Sequence, residues 1–223
     1  MNTSSSKNLQ NKIIQAATDF AHHEMSGLQP SHGWDHVQRV LKNALHIAST
    51  EPDTDLFILE AAAILHDISR KEQDLAEGLL CHAERGSVKA HDFLQKQGLD
   101  PEECEKIARC ILTHRFRNSH VPETIEEKIL YDADKLDSIG AVGIGRAFLF
   151  AGEVGARLHN PEVNILETES YSHEDTAYRE YIFKLRKIKD KMLTHEGRRI
   201  AEERHHFMED FFGRLTDEVL RGT

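Results

Sequence analysis

His66 and Asp67 directly follow a short apolar run, Ala61–Leu65. A run with no polar side predicts a segment inside the fold, where an imidazole beside a carboxylate is costly to bury without partners. A divalent metal ion would satisfy both groups at once. The alternative is a helix C-terminus at which His66 caps backbone carbonyls and Asp67 meets water. The dipeptide alone does not decide between the two.

Two further ligand-type residues, His36 and Asp134, also lie at the ends of apolar helical patterns. Neutral imidazoles and carboxylates suit several divalent ions, namely zinc, iron, manganese, cobalt, nickel and magnesium. Two histidines and two carboxylates leave coordination positions open for water, which is the arrangement that a hydrolytic metal needs. Each residue alone is weak support, because a single histidine on a helix is more often a packed or capping side chain.

Taken together, these residues resemble the H…HD…D signature of the HD-domain metal-dependent phosphohydrolases. His36 lies in the segment His32–Val40, His66 and Asp67 lie in Leu65–Ile68, and Asp134 lies in Asp132–Asp137. The resemblance covers about residues 30–150. The C-terminal helices are similar to the extension of a bacterial and archaeal branch of small HD hydrolases.

The resemblance implies an all-α HD-domain helical bundle that holds a divalent cation through His36, His66, Asp67 and Asp134. It also implies an enzyme that cleaves a phosphate ester or anhydride of a nucleotide or a similar small phosphorylated metabolite. A metal-activated water would attack phosphorus, and Asp67 would both bind the ion and orient the nucleophile. The alternatives are a cyclic-nucleotide phosphodiesterase and a non-catalytic sensor that binds metal or nucleotide.

Several other residues receive predicted roles. His32 is a candidate general acid or phosphate contact, and the alternative is a histidine in a polar turn. His82 and His114 occupy positions where two-metal relatives carry extra ligands, so a second ion is possible. We favour contacts with substrate, or with the residues around the ion, for both histidines.

The substrate-binding predictions continue with two cations and one acid. Arg70 and Lys71 directly follow the His66–Asp67 pair and are the first candidates to meet phosphate. Asp137 would orient a ligand or bind substrate, with helix capping as an equal alternative. Asp132 is expected to be a surface acid.

The elements that must position these residues are predicted to be helices throughout, because apolar residues recur at three-and-four spacing. The chain contains no alternating strand pattern of useful length. The prediction is a single domain over residues 1–223, with its metal-site core at about 30–150 and C-terminal helices within about 176–220. A polar connection at 70–78 and a long loop at 152–175 interrupt the helices, which are predicted at about residues 9–27, 36–48, 52–67, 82–97, 101–113, 122–137, 139–150, 176–193 and 197–220.

The charge balance narrows the range of partners. The chain has 28 Lys and Arg against 38 Asp and Glu, a net charge of −10, so a bulk nucleic-acid partner is not expected. The three cysteines, Cys81, Cys104 and Cys110, suggest neither a disulfide framework nor a thiolate zinc site. We expect a cytoplasmic protein with no membrane partner, because no apolar signal region or membrane-length run is present. A homodimer is possible.

Overall fold

The computed structural model describes residues 3–28, 33–76, 79–115 and 120–222, and these ranges contain helices and no strand. The predicted all-α fold class is therefore confirmed. Short 3₁₀ turns at Ile165–Glu167, Leu185–Lys187 and Lys189–Lys191 accompany the α-helices. The α-helices are α1 (Thr3–Glu24), α2 (Trp34–Ala48), α3 (Leu56–Leu65), α4 (Arg70–Leu75), α5 (His82–Lys96), α6 (Pro101–Thr113), α7 (Ile125–Leu136), α8 (Gly140–Glu153), α9 (Ala177–Phe183) and α10 (His195–Arg221).

Helix α3 is the central element of the first part of the chain. The carboxylate of Asp55 caps it by accepting from the backbone N–H groups of Phe57 and Ile58. Every α3 residue except Leu56 and Glu60 is buried, because α1, α2 and α6 all pack against it. The helix ends at Leu65 rather than at the predicted Asp67, so His66 and Asp67 lie in the turn that follows.

Two segments differ from the predicted elements. The expected polar connection at 70–78 contains the six-residue helix α4, which has no buried residue and therefore no apolar periodicity to reveal it. The helix expected at 176–193 is α9 followed by two 3₁₀ turns. The predicted apolar residues Leu185 and Ile188 are indeed buried, but a 3₁₀ turn also brings every third residue to one side.

Asp132 is a further difference, because it is fully buried and not a surface acid. Its neighbours from Ile129 to Ala133 are buried as well, so α7 has no solvent-facing side at this point. Burial, together with the nearby carboxylates of Asp132 and Asp134, raises the pKa of Tyr131 to about 12.

The chain divides into two compact units, residues 1–134 and 135–223, and the boundary falls within α7. The single domain over 1–223 stays a prediction. In the second unit, α8 packs against α9 and α10. Cys81, Cys104 and Cys110 are free thiols. Among the described helices, none combines the length and apolar character needed to cross a membrane.

Candidate metal centre

The first unit gathers six ligand-type side chains from the ends of its helices. Asp67 occupies the turn after α3, next to His66. The other members of the cluster begin or end a helix in the same way: His36 in the first turn of α2, His82 as the first residue of α5, His114 directly after α6, and Asp134 in the last turn of α7.

Three ligand-type atoms from other residues lie close to Nε2 of His36. The Nε2 atom of His36 lies 3.3 Å from Nε2 of His66 and 3.4 Å from a carboxylate oxygen of Asp134. The Oδ2 atom of Asp67 lies 3.7 Å from His36 Nε2 and 3.8 Å from His66 Nε2. The four residues that the resemblance singled out as ligands therefore lie close together in space.

A second group uses the other oxygen of the same carboxylate. Oδ1 of Asp67 lies 3.0 Å from His82 Nε2 and 4.0 Å from His114 Nε2. The two imidazole nitrogens are 3.2 Å apart. Asp67 is thus shared between a pair formed by His36 and His66 and a pair formed by His82 and His114.

Backbone carbonyls fix the orientation of two of the rings. Nδ1 of His66 donates to the carbonyl of Ala63 at 2.8 Å, and Nδ1 of His114 donates to the carbonyl of Ile111 at 2.6 Å. Each acceptor is three residues earlier in the chain, at the end of a helix. Capping and ligation are therefore compatible, because the bond at Nδ1 aims the Nε2 atom of the same ring into the cluster.

The electrostatics of the cluster favour the protonation states that a metal needs. Burial lowers the pKa of His66, and burial together with His66 and His82 holds the pKa of His114 well below its usual range. Burial alone would raise the pKa of Asp67, but the imidazoles of His82 and His66 hold it well below the usual range. Neutral imidazoles beside an ionised carboxylate are the ligand forms required for a divalent cation.

A comparison with models of protein families matches the part of the chain that contains this cluster. The HD domain family model matches residues 33–139, a span that contains all six clustered residues. The uncharacterized protein YpgQ of Bacillus subtilis is 38% identical over 193 residues, which cover 84% of each chain. The chain belongs to the HD-domain superfamily.

Solved structures of HD-domain relatives match nearly the whole length. An HD-superfamily hydrolase of Bacillus thuringiensis aligns with a TM-score of 0.74 and 29% identity, covering 95% of this chain and 99% of that one. A structure of B. subtilis YpgQ in complex with ADP aligns with a TM-score of 0.71 and 30% identity, covering 96% and 98%.

The donor set of this HD-domain chain fits a divalent ion. HD domains bind divalent metals, and two groups of buried ligand atoms here could hold one: His36, His66 and Asp67, and Asp67, His82 and His114. Two ligand atoms at about 2.1 Å from one ion lie roughly 3.0–3.4 Å from each other. The separations of 3.3 Å and 3.4 Å around His36 Nε2 agree with this spacing.

The other residues with predicted roles at the site are His32, Arg70, Lys71 and Asp137. His32 lies outside the described residues. The guanidinium of Arg70 lies 3.4 Å from Asp74, and its charge helps to lower the pKa of Asp67. Lys71 is exposed and its ammonium donates to the carbonyl of Ser26 at 3.3 Å. Asp137, in the second unit, accepts from Arg146 at 2.9 Å.

Sequence reasoning missed Gln73, which contacts the cluster from α4. Its Oε1 atom lies 2.9 Å from Nδ1 of His82 and accepts from Arg115 at 2.8 Å. Glutamine is a common residue on solvated helices, and nine positions separate it from His82. Neither its type nor its spacing could have identified it.

Proposed function

We propose that this chain is a metal-dependent phosphohydrolase that acts on a nucleotide or a similar small phosphorylated metabolite. The observation that carries the proposal is the convergence of two carboxylates and four imidazoles, in which His66 and His114 are neutral and aim Nε2 into the cluster. No purely structural role accounts for so many buried ligand atoms without a cation between them.

In this proposal His36, His66, Asp67 and Asp134 hold the ion. A bound divalent ion would supply an acidified water as nucleophile and offset negative charge on the phosphate. Asp67 would both bind the ion and orient this nucleophile. The imidazoles of His82 and His114, on the other side of Asp67, would contact the phosphate group.

The cations next to the cluster support an anionic substrate. Arg70 begins α4 only three residues after Asp67, and Arg115 directly follows His114. Guanidinium groups bind phosphate oxygens through two parallel N–H groups, so Arg70 is our first candidate for that contact, followed by Lys71. His32 and Asp137 remain proposed contacts. A nucleotide substrate is supported by the relative YpgQ, whose structure was solved in complex with ADP.

The test uses the full chain stripped with a chelator and reloaded separately with each candidate ion. Release of phosphate or pyrophosphate is measured over nucleoside monophosphates, diphosphates, triphosphates and cyclic nucleotides. We expect turnover of at least one non-cyclic phosphate compound. Cleavage of cyclic diesters alone would favour the phosphodiesterase instead, and tight binding of metal without any turnover would favour the sensor.

The matched variants are Asp67→Asn and Asp92→Asn. Asp67 is buried within the cluster, whereas the side chain of Asp92 is 62% exposed on α5. Asp67→Asn should lower turnover by at least about 100-fold and abolish the thermal stabilisation by added metal, with helical content retained. Asp92→Asn should behave like the wild type. Full activity in Asp67→Asn would refute the assignment.

A further inference from the structure

Helix α4 has no buried residue that could hold it in place through apolar packing. None of its six residues is buried, and its one large apolar side chain, Leu75, is 79% exposed. Isolated helices shorter than about 12–15 residues are marginal in water. The helical form and the position of α4 must therefore depend on polar contacts with the elements around it.

The carboxylate of Glu72 is the point at which two basic side chains of α5 reach α4. Nζ of Lys89 donates to Oε1 of Glu72 at 2.8 Å, and Nε of Arg85 donates to Oε2 at 3.2 Å. Both carboxylate oxygens are therefore used, and both bonds join opposite charges, which makes them stronger than bonds between neutral groups. We call Glu72, Arg85 and Lys89 the Glu72 network.

Lys89 is shared between acids on two different helices, because its ammonium also donates to Glu24 of α1 at 2.5 Å. The side chains of Lys89, Glu24 and Glu72 are only 25–32% exposed. Partly shielded charges in a network stabilise a structure more than an isolated pair on the surface does. The hydrogen bond from Lys89 lowers the pKa of Glu72, so this carboxylate is ionised at neutral pH.

The helical form of α4 in turn fixes the surroundings of Arg70, its first residue. Nε of Arg70 lies 3.4 Å from a carboxylate oxygen of Asp74, which is four residues later, and side chains at this spacing are neighbours on a helix. The charge of Arg70 also helps to lower the pKa of Asp67, so the guanidinium lies near the cluster. Loss of the helix would separate Arg70 from Asp74 and release its guanidinium.

We propose that Glu72 and Lys89 are positioning residues that keep α4 helical and thereby hold the guanidinium of Arg70 where it contacts a phosphate of the substrate. The contact with phosphate rests on the proposed function, whereas the hold on α4 does not depend on any activity. Arg85 contributes less, because its side chain is 63% exposed. Glu24 contacts Lys89 from the side of α1 and is not required for the hold on α4.

The first test measures hydrogen exchange of the backbone amides of α4 in the full chain, without metal or substrate and at low ionic strength. Glu72→Gln keeps the size of the side chain and removes its charge, whereas Lys89→Met keeps the aliphatic stem and removes the ammonium. We expect exchange in α4 to become about 3- to 10-fold faster in each variant. Lys89→Arg keeps the charge and should restore most of the protection.

Two matched controls separate this effect from a general loosening of the fold. Glu24→Gln makes the same change at the other acid bonded to Lys89 and leaves the Glu72 network intact. Lys96→Met makes the same change at an exposed lysine near the end of α5. Exchange in α4 should match the wild type in both controls.

Unchanged exchange of α4 in Glu72→Gln or in Lys89→Met would overturn the proposal, as would equal acceleration by Glu24→Gln. If Lys89→Met does not fold, Glu72→Gln decides the matter, because its side chain lies partly in solvent. These outcomes stand even if the chain hydrolyses no phosphate, so failure of this proposal and failure of the proposed function are distinguishable.

A second test measures whether the Glu72 network acts through Arg70. With an active substrate, Glu72→Gln and Lys89→Met should each raise KM about 3- to 10-fold and change kcat by less than about 2-fold, because a contact that binds substrate is weakened. The double variant Arg70→Met/Lys89→Met should have no higher KM than Arg70→Met alone. A further rise of KM in the double variant, or a loss of kcat at unchanged KM, would contradict a role through Arg70.

Discussion

Asp67 divides its carboxylate between two pairs of imidazoles. Oδ2 faces His36 and His66, whereas Oδ1 faces His82 and His114. The two sides also differ in their neighbours, since a carboxylate oxygen of Asp134 lies 3.4 Å from Nε2 of His36. We infer that an ion on the His36 side and a phosphate on the His82 side would be bridged by a single residue.

This division predicts different effects for two histidine variants. His36→Asn removes the nitrogen that lies within 3.7 Å of three other ligand atoms, so the affinity for Mn²⁺ should fall by about 100-fold or more. His82→Asn leaves those ligand atoms in place and should retain Mn²⁺ affinity within about 10-fold while turnover falls. Titration followed by electron paramagnetic resonance, together with initial rates, measures both quantities. Equal loss of Mn²⁺ affinity in the two variants would contradict the division.

At the candidate site, the sequence allowed His36, His66, Asp67 and Asp134 to be grouped, and their role as metal ligands stays a prediction. Each of the four is weak support alone, but their order and spacing resemble the H…HD…D signature, and this resemblance grouped them before any coordinates. The partners that orient them could not be predicted. Backbone carbonyls such as those of Ala63 and Ile111 are present at every position, so no residue type marks them, and Gln73 has no distinctive spacing.

At the scale of elements, the sequence predicted helices best where one face is apolar. Helix α6 begins at Pro101 and ends at Thr113 as predicted, because Asp100 caps its start and its apolar residues recur regularly. Helix α4 was missed because it is held by charged side chains, namely Lys89 and Arg85 on Glu72, rather than by buried apolar ones. Long-range ion pairs leave no periodic pattern.

Helix α8 offers a test of close backbone approach with a control in the same helix. A Cβ atom added at Gly143 would lie 2.2 Å from the carbonyl oxygen of Ser138, whereas nothing lies within 4 Å of one added at Gly145. Gly143→Ala should therefore lower the free energy of unfolding by about 1–3 kcal/mol. Gly145→Ala should raise it by up to about 1 kcal/mol, since alanine favours helices. Urea unfolding measures both, and stabilisation by both variants would contradict the close approach.

At the scale of the whole molecule, the buried histidines make stability depend on pH. The pKa values of His66 and His114 are lowered in the folded chain, and burial lowers the pKa of His159 in the second unit too. Below about pH 6.5 the unfolded chain binds protons that these folded rings do not. The stability that they contribute is therefore complete above that pH and is lost as the pH falls towards the folded values.

For the metal-free chain we expect the free energy of unfolding to decrease between pH 7.5 and pH 5.5. Each fully buried ring contributes a slope of at most about 1.4 kcal/mol per pH unit. Asp67, whose pKa is also lowered, adds a separate loss below about pH 4, because its carboxylate stabilises the fold only when ionised. Urea unfolding at several pH values, repeated with His114→Asn, measures the slope. A smaller slope in the variant is expected, and a flat profile in the wild type would contradict the argument.

The carbonyls of Ala63 and Ile111 have a consequence for how this protein can vary over time. A backbone carbonyl is kept after any amino-acid replacement that leaves the helix intact. Replacements at positions 63 and 111 should therefore not remove the hydrogen bonds that orient His66 and His114. The orientation of His82 lacks this protection, because its acceptor is the side chain of Gln73, which a single substitution removes. Among HD-domain chains with this arrangement, amino-acid replacements should accordingly alter the orientation of His82 more easily than that of His66 or His114.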